Sequence, residues 1–105
     1  MRYLLMYYGG GAGETPAQQA RIMKQWMTWF GKLGPAMVDG GKPMSGAVMK
    51  IKADGTVGKG AIGKRATGYS IIEAPSLDKA TKMAKGCPVV KTGGEIAVYE
   101  TSDMM

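Results

Sequence analysis

The sequence predicts an α+β domain in which two helices cover one face of an antiparallel β-sheet. Segments with the composition of strands alternate along the chain with two amphipathic helical patterns. Clusters of glycine separate these segments, and clusters of this kind mark loops and turns. The length of 105 residues suits one compact domain, so we expect a single domain spanning residues 1–105.

The N-terminal third predicts a buried strand followed by a long amphipathic helix. Residues 2–8 are aromatic and aliphatic, as expected for a buried strand. Thr15 is a suitable N-cap residue, Pro16 suits the first helical position, and Gln18 completes a capping box. Gly34, which precedes a proline, ends the helix. The apolar residues between these signals recur at helical spacing: Ile22, Trp26, Trp29 and Leu33.

The middle of the chain predicts a second β region. In residues 49–53 apolar side chains alternate with lysines, which predicts a half-buried strand with Met49 and Ile51 among its buried positions. Asp54-Gly55 is a strong hairpin signal. We therefore expect residues 56–64 to form the returning side of the hairpin.

The C-terminal part predicts a strand, a short helix and a last strand. Residues 68–74 have the composition of a strand. Ser76 is a suitable N-cap for a helix over residues 77–85, which Gly86 ends. The last β segment is expected to begin at residues 88–90 and to end with residues 95–100.

The resulting order, β-α-β-β-α-β, is that of the ferredoxin-like or split βαβ fold. Helices on one face leave the other face of the sheet bare. The first strand is apolar at positions of both parities, and a sheet that is apolar on both faces rarely stays exposed. We therefore expect a homodimer in which two such faces pack together. The apolar strand residues are Tyr3, Leu5, Tyr7, Ile71, Ile96 and Val98.

The composition excludes several classes of site. The chain has no histidine, which removes imidazole acid–base catalysis, His metal sites and His-activated nucleophiles. One cysteine excludes a disulfide framework within the chain and suits a reducing compartment, so we expect a cytoplasmic protein. No apolar run is long enough for a membrane span, and residues 1–8 read as a strand and not as a signal peptide. We expect neither a metal nor a cofactor.

The formal charge of +6 raises the question of an anionic partner. The basic residues are spread along the chain, as on a solvated surface. RNA-recognition modules share the β-α-β-β-α-β order, but Tyr69 is the one aromatic residue in the segment that resembles their stacking motif. Nucleic-acid binding is therefore the alternative to small-molecule binding, and a structural or accessory dimer without its own ligand is a third possibility.

Several segments resemble, in order and spacing, the YCII-related family and especially its DGPF branch. They are residues 1–9 (MRYLLMYYG), 40–44 (GGKPM), 68–80 (GYSIIEAPSLDKA), 84–88 (AKGCP) and 94–98 (GEIAV). The resemblance covers nearly the whole chain. It implies a ferredoxin-like plait that forms a dimeric α+β barrel, with a cleft between the sheet and the loops.

The resemblance also implies a His-Asp pair, which some members use in that cleft, and one branch resembles a dehydrochlorinase of chlorinated hydroquinones. By alignment with the family, the two positions are Gln18 and Cys87 in this sequence. The Asp-Gly-Pro-Phe signature is also missing and aligns with residues 60–64. We therefore expect either a small-molecule-binding homodimer or a degenerate lyase- or isomerase-like enzyme, and no catalytic residue is assigned.

The candidate ligand-binding residues follow from the same alignment. Gln18 has a second reading as a capping residue, and Cys87 could be a nucleophile or a buried apolar residue. The aromatic stripe could form the core or line a pocket, and the glycine-rich loop after residue 8 could cradle an anion or simply be mobile. The six candidates are Tyr8, Gln18, Gly41, Lys42, Pro43 and Cys87.

Overall fold

The computed structural model describes residues 1–11 and 13–102. Within these residues, six strands and three helices follow one another, and a 3₁₀ turn (Gly34–Ala36) follows the first helix. The elements are β1 (Arg2–Tyr8), α1 (Pro16–Leu33), β2 (Met37–Asp39), β3 (Met49–Ile51), β4 (Val57–Lys59), β5 (Ala66–Glu73), α2 (Leu77–Ala84), α3 (Pro88–Lys91) and β6 (Glu95–Glu100).

The main sheet has four strands in the order β2-β5-β1-β6, and all neighbours are antiparallel. This is the strand order of a ferredoxin-like plait, in which the first strand lies between the third and the last strand of the motif. The predicted fold class is therefore confirmed. The β3–β4 hairpin is an insertion between the second and third strands of that motif and forms a separate two-stranded sheet.

Helix α1 begins as the sequence predicts. The Thr15 Oγ1 accepts the Gln18 backbone N–H at 3.1 Å, and the Gln18 Oε1 accepts the Thr15 backbone N–H at 3.3 Å. These bonds satisfy donors that the first helical turn cannot pair internally. The helix ends where Gly34 adopts a φ of 54° and donates its N–H to the Phe30 carbonyl.

The core lies between the helices and one face of the sheet. Trp29 on α1 is buried, and its indole Nε1 donates to the Met83 carbonyl at 3.0 Å, which connects α1 to α2. A buried indole N–H without a partner would be costly, so this bond fixes how the two helices pack. The fully buried strand residues beneath them include Tyr3, Leu5 and Ile72.

The predicted strand at residues 88–90 is wrong, because this segment forms the short helix α3. Pro88 occupies the first helical turn, where a missing N–H costs nothing, and Cys87 is the extended N-cap residue. The Thr92 N–H closes the turn on the Pro88 carbonyl at 3.1 Å. Of the two valines that suggested a strand, Val89 packs into the core, whereas Val90 is exposed. Helix α2 ends at Ala84, one residue before the predicted end.

The β3–β4 hairpin is present, but its expected burial is wrong. Gly55 has a φ of 89°, and the Asp54 carboxylate accepts the Thr56 N–H at 2.9 Å, which confirms the predicted turn. Met49 and Ile51, however, are 59% and 68% exposed. The alternation indicates that the strand has two different faces, but the apolar face stays largely exposed in the described chain. We refer to residues 48–60 as the hairpin arm.

The second face of the main sheet carries no helix. The apolar residues Tyr3, Leu5, Tyr7, Ile96 and Val98 lie on the helix-covered side, where they belong to the core or pack against it, and Ile71 lies on the opposite side. We refer to that opposite side as the open face. It is made of half-buried or exposed residues: Leu4, Met6, Tyr8, Tyr69, Ile71, Ala97 and Tyr99.

None of the helices in the described part of the chain has both the length and the apolar character that a membrane span requires.

Replacing the cap residue of α1 tests the local basis of the fold. Thr15→Ala should lower the free energy of unfolding by about 1 kcal/mol, because the N-cap bond to Gln18 is lost. Urea unfolding followed by tryptophan fluorescence measures this change. Thr28→Ala is the matched control, since the Thr28 hydroxyl only bonds back to the Lys24 carbonyl within the helix. An equal loss in the control would contradict the role of the cap.

Candidate ligand cleft

A cavity of about 620 Å³ lies between α1 and the end of the sheet where β1 finishes and β5 begins. Two glycine-rich segments form its rim, residues 9–11 after β1 and residues 40–43 after β2. Tyr7 on β1 and Gly68 on β5, which pair across the sheet, lie at its base. We refer to this cavity as the ligand cleft. Its volume is within the range of small-molecule sites, which is about 300–1,000 Å³.

One wall of the ligand cleft is aromatic. The Trp26 ring meets the Tyr7 ring edge to face, with centroids 5.5 Å apart, and lies 5.7 Å from the Phe30 ring. Trp29, one helical turn further along α1, is buried in the core. The stripe was expected either to form the core or to line a pocket. Both interpretations apply, because Trp29 lies in the core and Trp26 lines the cleft.

The base of the cleft contains a chain of buried hydrogen bonds. The Tyr7 hydroxyl donates to the Ser70 Oγ at 2.7 Å, and the Ser70 hydroxyl donates to the Gly40 carbonyl at 2.8 Å. Burial raises the pKa of Tyr7 far above its usual range, and the neighbouring Cys87 raises it further. Tyr7 is therefore a neutral phenol near neutral pH, which can form hydrogen bonds but cannot serve as a base.

Cys87 lies behind Tyr7, at the N-cap of α3, and is completely buried. Burial raises the pKa of its thiol, although hydrogen bonds from the Val89 backbone and the Tyr7 side chain act in the opposite direction. A buried neutral thiol is a poor nucleophile, because the thiolate is the reactive form. The sequence left open whether Cys87 is a nucleophile or a buried apolar residue, and the structure shows a buried residue.

The rim segment after β2 is fixed by a close backbone approach. Gly41 has a φ of 76°, and a Cβ at this position would lie 1.7 Å from the Tyr69 carbonyl oxygen. The Asp39 carboxylate accepts the Gly41 N–H at 2.8 Å, and Pro43 forms a bridge to Gly68 on β5. Only glycine fits here, which explains a Gly-Gly turn at this place.

The six candidate residues separate into four groups. Gly41, Lys42 and Pro43 line the ligand cleft. Gln18 does not, because its side chain is engaged in capping α1. Cys87 lies beneath the base of the cleft and does not contact its interior.

The remaining candidate, Tyr8, lies on the open face and lines a different groove of about 560 Å³ beside the hairpin arm. The sequence reasoning missed several lining residues that the fold brings together, among them Gln19, Ile22, Met23, Thr67 and Thr92. The helical period of α1 could have indicated Gln19 and Met23, since both share the face of Trp26. No local signal marks Thr67 or Thr92.

The charge inside the ligand cleft is simple. Lys42 is the one charged residue of the described lining, which contains no carboxylate. The other polar groups are the Gln19 amide, the hydroxyls of Thr67 and Thr92, and backbone amides. With no histidine in the chain and a neutral Tyr7, the lining offers no acid–base pair that titrates near neutral pH.

The glycine-rich loop that could have cradled an anion is already bonded within the protein. The Gly11 N–H donates to the Thr92 hydroxyl at 3.3 Å, and the Gly9 carbonyl accepts from the Thr67 hydroxyl at 3.0 Å. Ala12, in the middle of that loop, lies outside the described residues. The described residues also contain no group of three or more His, Cys, Asp or Glu side chains that could hold a metal ion.

Comparison with protein families matches the sequence to the YCII-related domain over residues 1–105. The chain belongs to the YCII-related family. The resemblance stated from the sequence is therefore confirmed at the level of the family. Among curated proteins, the comparison finds none that matches this YCII-related chain.

A similar solved structure is 5-chloro-2-hydroxyhydroquinone dehydrochlorinase from Burkholderia phenoliruptrix, in complex with 2,5-dihydroxybenzoquinone. The TM-score is 0.58 and the sequence identity is 18%, over 97% of this YCII-related chain and 94% of the other chain. At this level of identity, the likeness shows a common fold.

Substitution at the rim tests the close approach of Gly41. Gly41→Ala should lower the free energy of unfolding by at least about 2 kcal/mol, because the added methyl group meets the Tyr69 carbonyl and the φ is unfavourable. Gly40→Ala is the control, since its Cβ would lie 3.5 Å from the Phe30 ring, an ordinary contact, so a change below about 1 kcal/mol is expected. Urea unfolding of both variants measures the difference, and equal effects would contradict the geometry.

The buried thiol and phenol predict a loss of stability at alkaline pH. Both pKa values are raised in the folded chain, so the unfolded chain releases these protons first. The stabilisation is complete below the pKa of an ordinary thiol, about 8.5, and decreases as the pH rises above it. Cys87→Ala should reduce the first part of this decrease, and Tyr7→Phe the part above about pH 10. Urea unfolding at a series of pH values measures it, and a flat profile up to about pH 10 would contradict the prediction.

Proposed function

We propose that this YCII-related protein is a homodimer whose ligand cleft binds a small, flat aromatic molecule that carries an acidic group. The observation that carries the proposal is the composition of the cleft, which combines an aromatic wall with one cation and no anion. We infer binding without the family's His-Asp chemistry, because Gln18 and Cys87 occupy the two positions and neither reaches into the cleft.

The shape of the aromatic wall favours a flat ligand. Along one side of the cleft, the centroid of the Trp26 ring lies 5.5 Å from that of Tyr7 and 5.7 Å from that of Phe30. Aromatic rings prefer edge-to-face or offset contacts with other rings, and such contacts add to the gain from burying apolar area. The glycines of the rim leave backbone at part of the cleft mouth, so a ring can approach closely there.

The charge of the cleft favours an acidic substituent on that ring. Lys42 is the one basic residue of the described lining and attracts an anionic ligand, whereas the nearby Asp39 carboxylate is bonded to the Gly41 N–H of the rim. The net charge of +6 acts in the same direction over longer distances. The related dehydrochlorinase structure contains 2,5-dihydroxybenzoquinone, an oxygenated ring, and this supports the proposed ligand class.

The remaining parts of the proposal concern the oligomeric state, the branch of the family and the cellular compartment. We infer a homodimer from the uncovered open face, which is apolar through most of its centre. We assign the chain to the DGPF branch on the motifs that resemble it, although residues 60–64 lack the signature. The single domain over residues 1–105 acts in the cytoplasm, which suits its lone, buried and unpaired thiol. The family match does not favour an RNA-recognition module.

A ligand pair tests the proposed class. The YCII-related protein should bind 2,5-dihydroxybenzoquinone, which is ionised at neutral pH, more tightly than the neutral 2,5-dimethoxybenzoquinone. Lys42→Gln should weaken binding of the ionised compound by about 2- to 5-fold, since exposed charge pairs contribute up to about 1 kcal/mol, and should leave the neutral compound unaffected. Isothermal titration calorimetry measures both affinities.

Lys79→Gln is the matched control for this experiment. It removes the same charge from α2, outside the cleft lining, and should not alter the affinity. No binding of either compound would count against an aromatic ligand, and equal effects of the two lysine variants would count against recognition by Lys42.

A further inference from the structure

The hairpin arm presents an apolar face that is largely exposed in the described chain. In the β3–β4 pairing, Met49 lies opposite Lys59 and Ile51 lies opposite Val57, so these four residues share one face. Ile51 and Val57 form a cross-strand apolar pair, yet they are 68% and 63% exposed. The other face is different, because the Lys50 side chain covers Gly58 there.

An isolated two-stranded hairpin is at best marginally stable in water. The hairpin arm forms its own sheet, and neither of its strands pairs with the main sheet. The Cα radius of gyration is 15.2 Å, whereas a compact chain of this length has about 13 Å. A face of this kind therefore requires a surface outside the single chain.

The open face of the main sheet is too small to hold a dimer on its own. Four strands about 4.8 Å apart and about 20 Å long present a projected area of about 400 Å². A standard stable interface buries about 800 Å² on each partner. The hairpin arm adds apolar surface on the same side as the open face, because the groove between them is lined by Tyr8 of the open face and by Val48 and Met49 of the arm.

We propose that the apolar face of the hairpin arm packs on a second copy of this chain and thereby extends the contact between the two open faces. This inference rests on the homodimer of the proposed function, and it assigns the arm as the element that makes that dimer stable. A second copy is the occupant that the surfaces favour, because one chain supplies both the exposed arm and the uncovered sheet face. A two-fold arrangement covers both surfaces in each copy.

Two acidic substitutions on the arm test this inference. Ile51→Glu combined with Val57→Glu places carboxylates on the apolar face, where burial against a partner would be unfavourable. In analytical ultracentrifugation, the wild-type protein should have twice the mass of the 11.1 kDa chain. The double variant should raise the dimer Kd by at least about 100-fold, as expected for unpaired charges in an interface. Because both positions are exposed in the single chain, circular dichroism should remain unchanged.

The matched control is Lys50→Gln combined with Lys52→Gln. Both pairs of substitutions lower the formal charge from +6 by two, but the control acts on the other face of the same hairpin. It should remain dimeric. If it dissociates as readily as the acidic variant, the effect is one of charge and the inference is wrong.

The remaining outcomes distinguish a failure of the proposed role of the arm from a failure of the proposed homodimer. A wild-type monomer would overturn both, whether or not it binds single-stranded RNA in a gel-shift experiment. A wild-type dimer that the acidic substitutions leave intact would overturn the role of the arm alone. Titration of the acidic variant with 2,5-dihydroxybenzoquinone shows separately whether the ligand cleft still binds.

A second measurement covers the case in which the acidic variant fails to fold. A photo-crosslinking amino acid in place of Ile51 should join two chains covalently, whereas the same group in place of Lys52, on the other face, should not. Crosslinks confined to a single chain, with none between chains, would overturn the inference.

Discussion

The packing of α1 against β1 through two tryptophans determines most of this structure. Trp29 enters the core, and its indole N–H is bonded to the Met83 carbonyl, so the position of α2 depends on it. Trp26, three residues earlier, meets Tyr7 edge to face and stays at the border of the core. The ligand cleft lies beside this contact, between the Trp26 side of α1 and the glycine rim.

The chemistry available in the cleft follows from the same packing. Tyr7 is buried by Trp26 on one side and by the segment around Cys87 on the other, which keeps both its phenol and the neighbouring thiol neutral. Groups that would be reactive in water are therefore hydrogen-bonding or space-filling groups here.

Much of the fold could be predicted from local signals. The capping box at Thr15, the helical stripe and the Asp54-Gly55 turn depend on neighbours in sequence, and all three are present. The β3 prediction was wrong about burial, because alternation shows that a strand has two faces but not which one another surface covers. The valines after Pro88 were misleading because a buried turn of helix requires the same apolar residues as a strand.

The candidate site was harder to predict, because a shift of one position along an element turns a side chain in a different direction. Successive residues of β1 point to opposite faces, so Tyr7 lies at the base of the cleft while Tyr8 lies on the open face. On α1, Gln18 and Gln19 differ by about 100° around the helix axis, and only Gln19 faces the cleft. Alignment with a family gives positions along the chain, but these directions depend on where each element begins.

The hydrogen bond from Ser70 to the Gly40 carbonyl makes the mouth of the cleft asymmetric. Moving residues 40–43 outward would break a partly buried bond and separate Gly41 from the β5 backbone against which it fits, at a cost of about 1–3 kcal/mol for the unpaired polar groups alone. The opposite lip, residues 9–11, is held by bonds to Thr67 and Thr92 that water can replace. One lip is thus bonded to the core through a partly buried contact and the other through exposed hydrogen bonds, so the two sides of the mouth differ in what their displacement would cost.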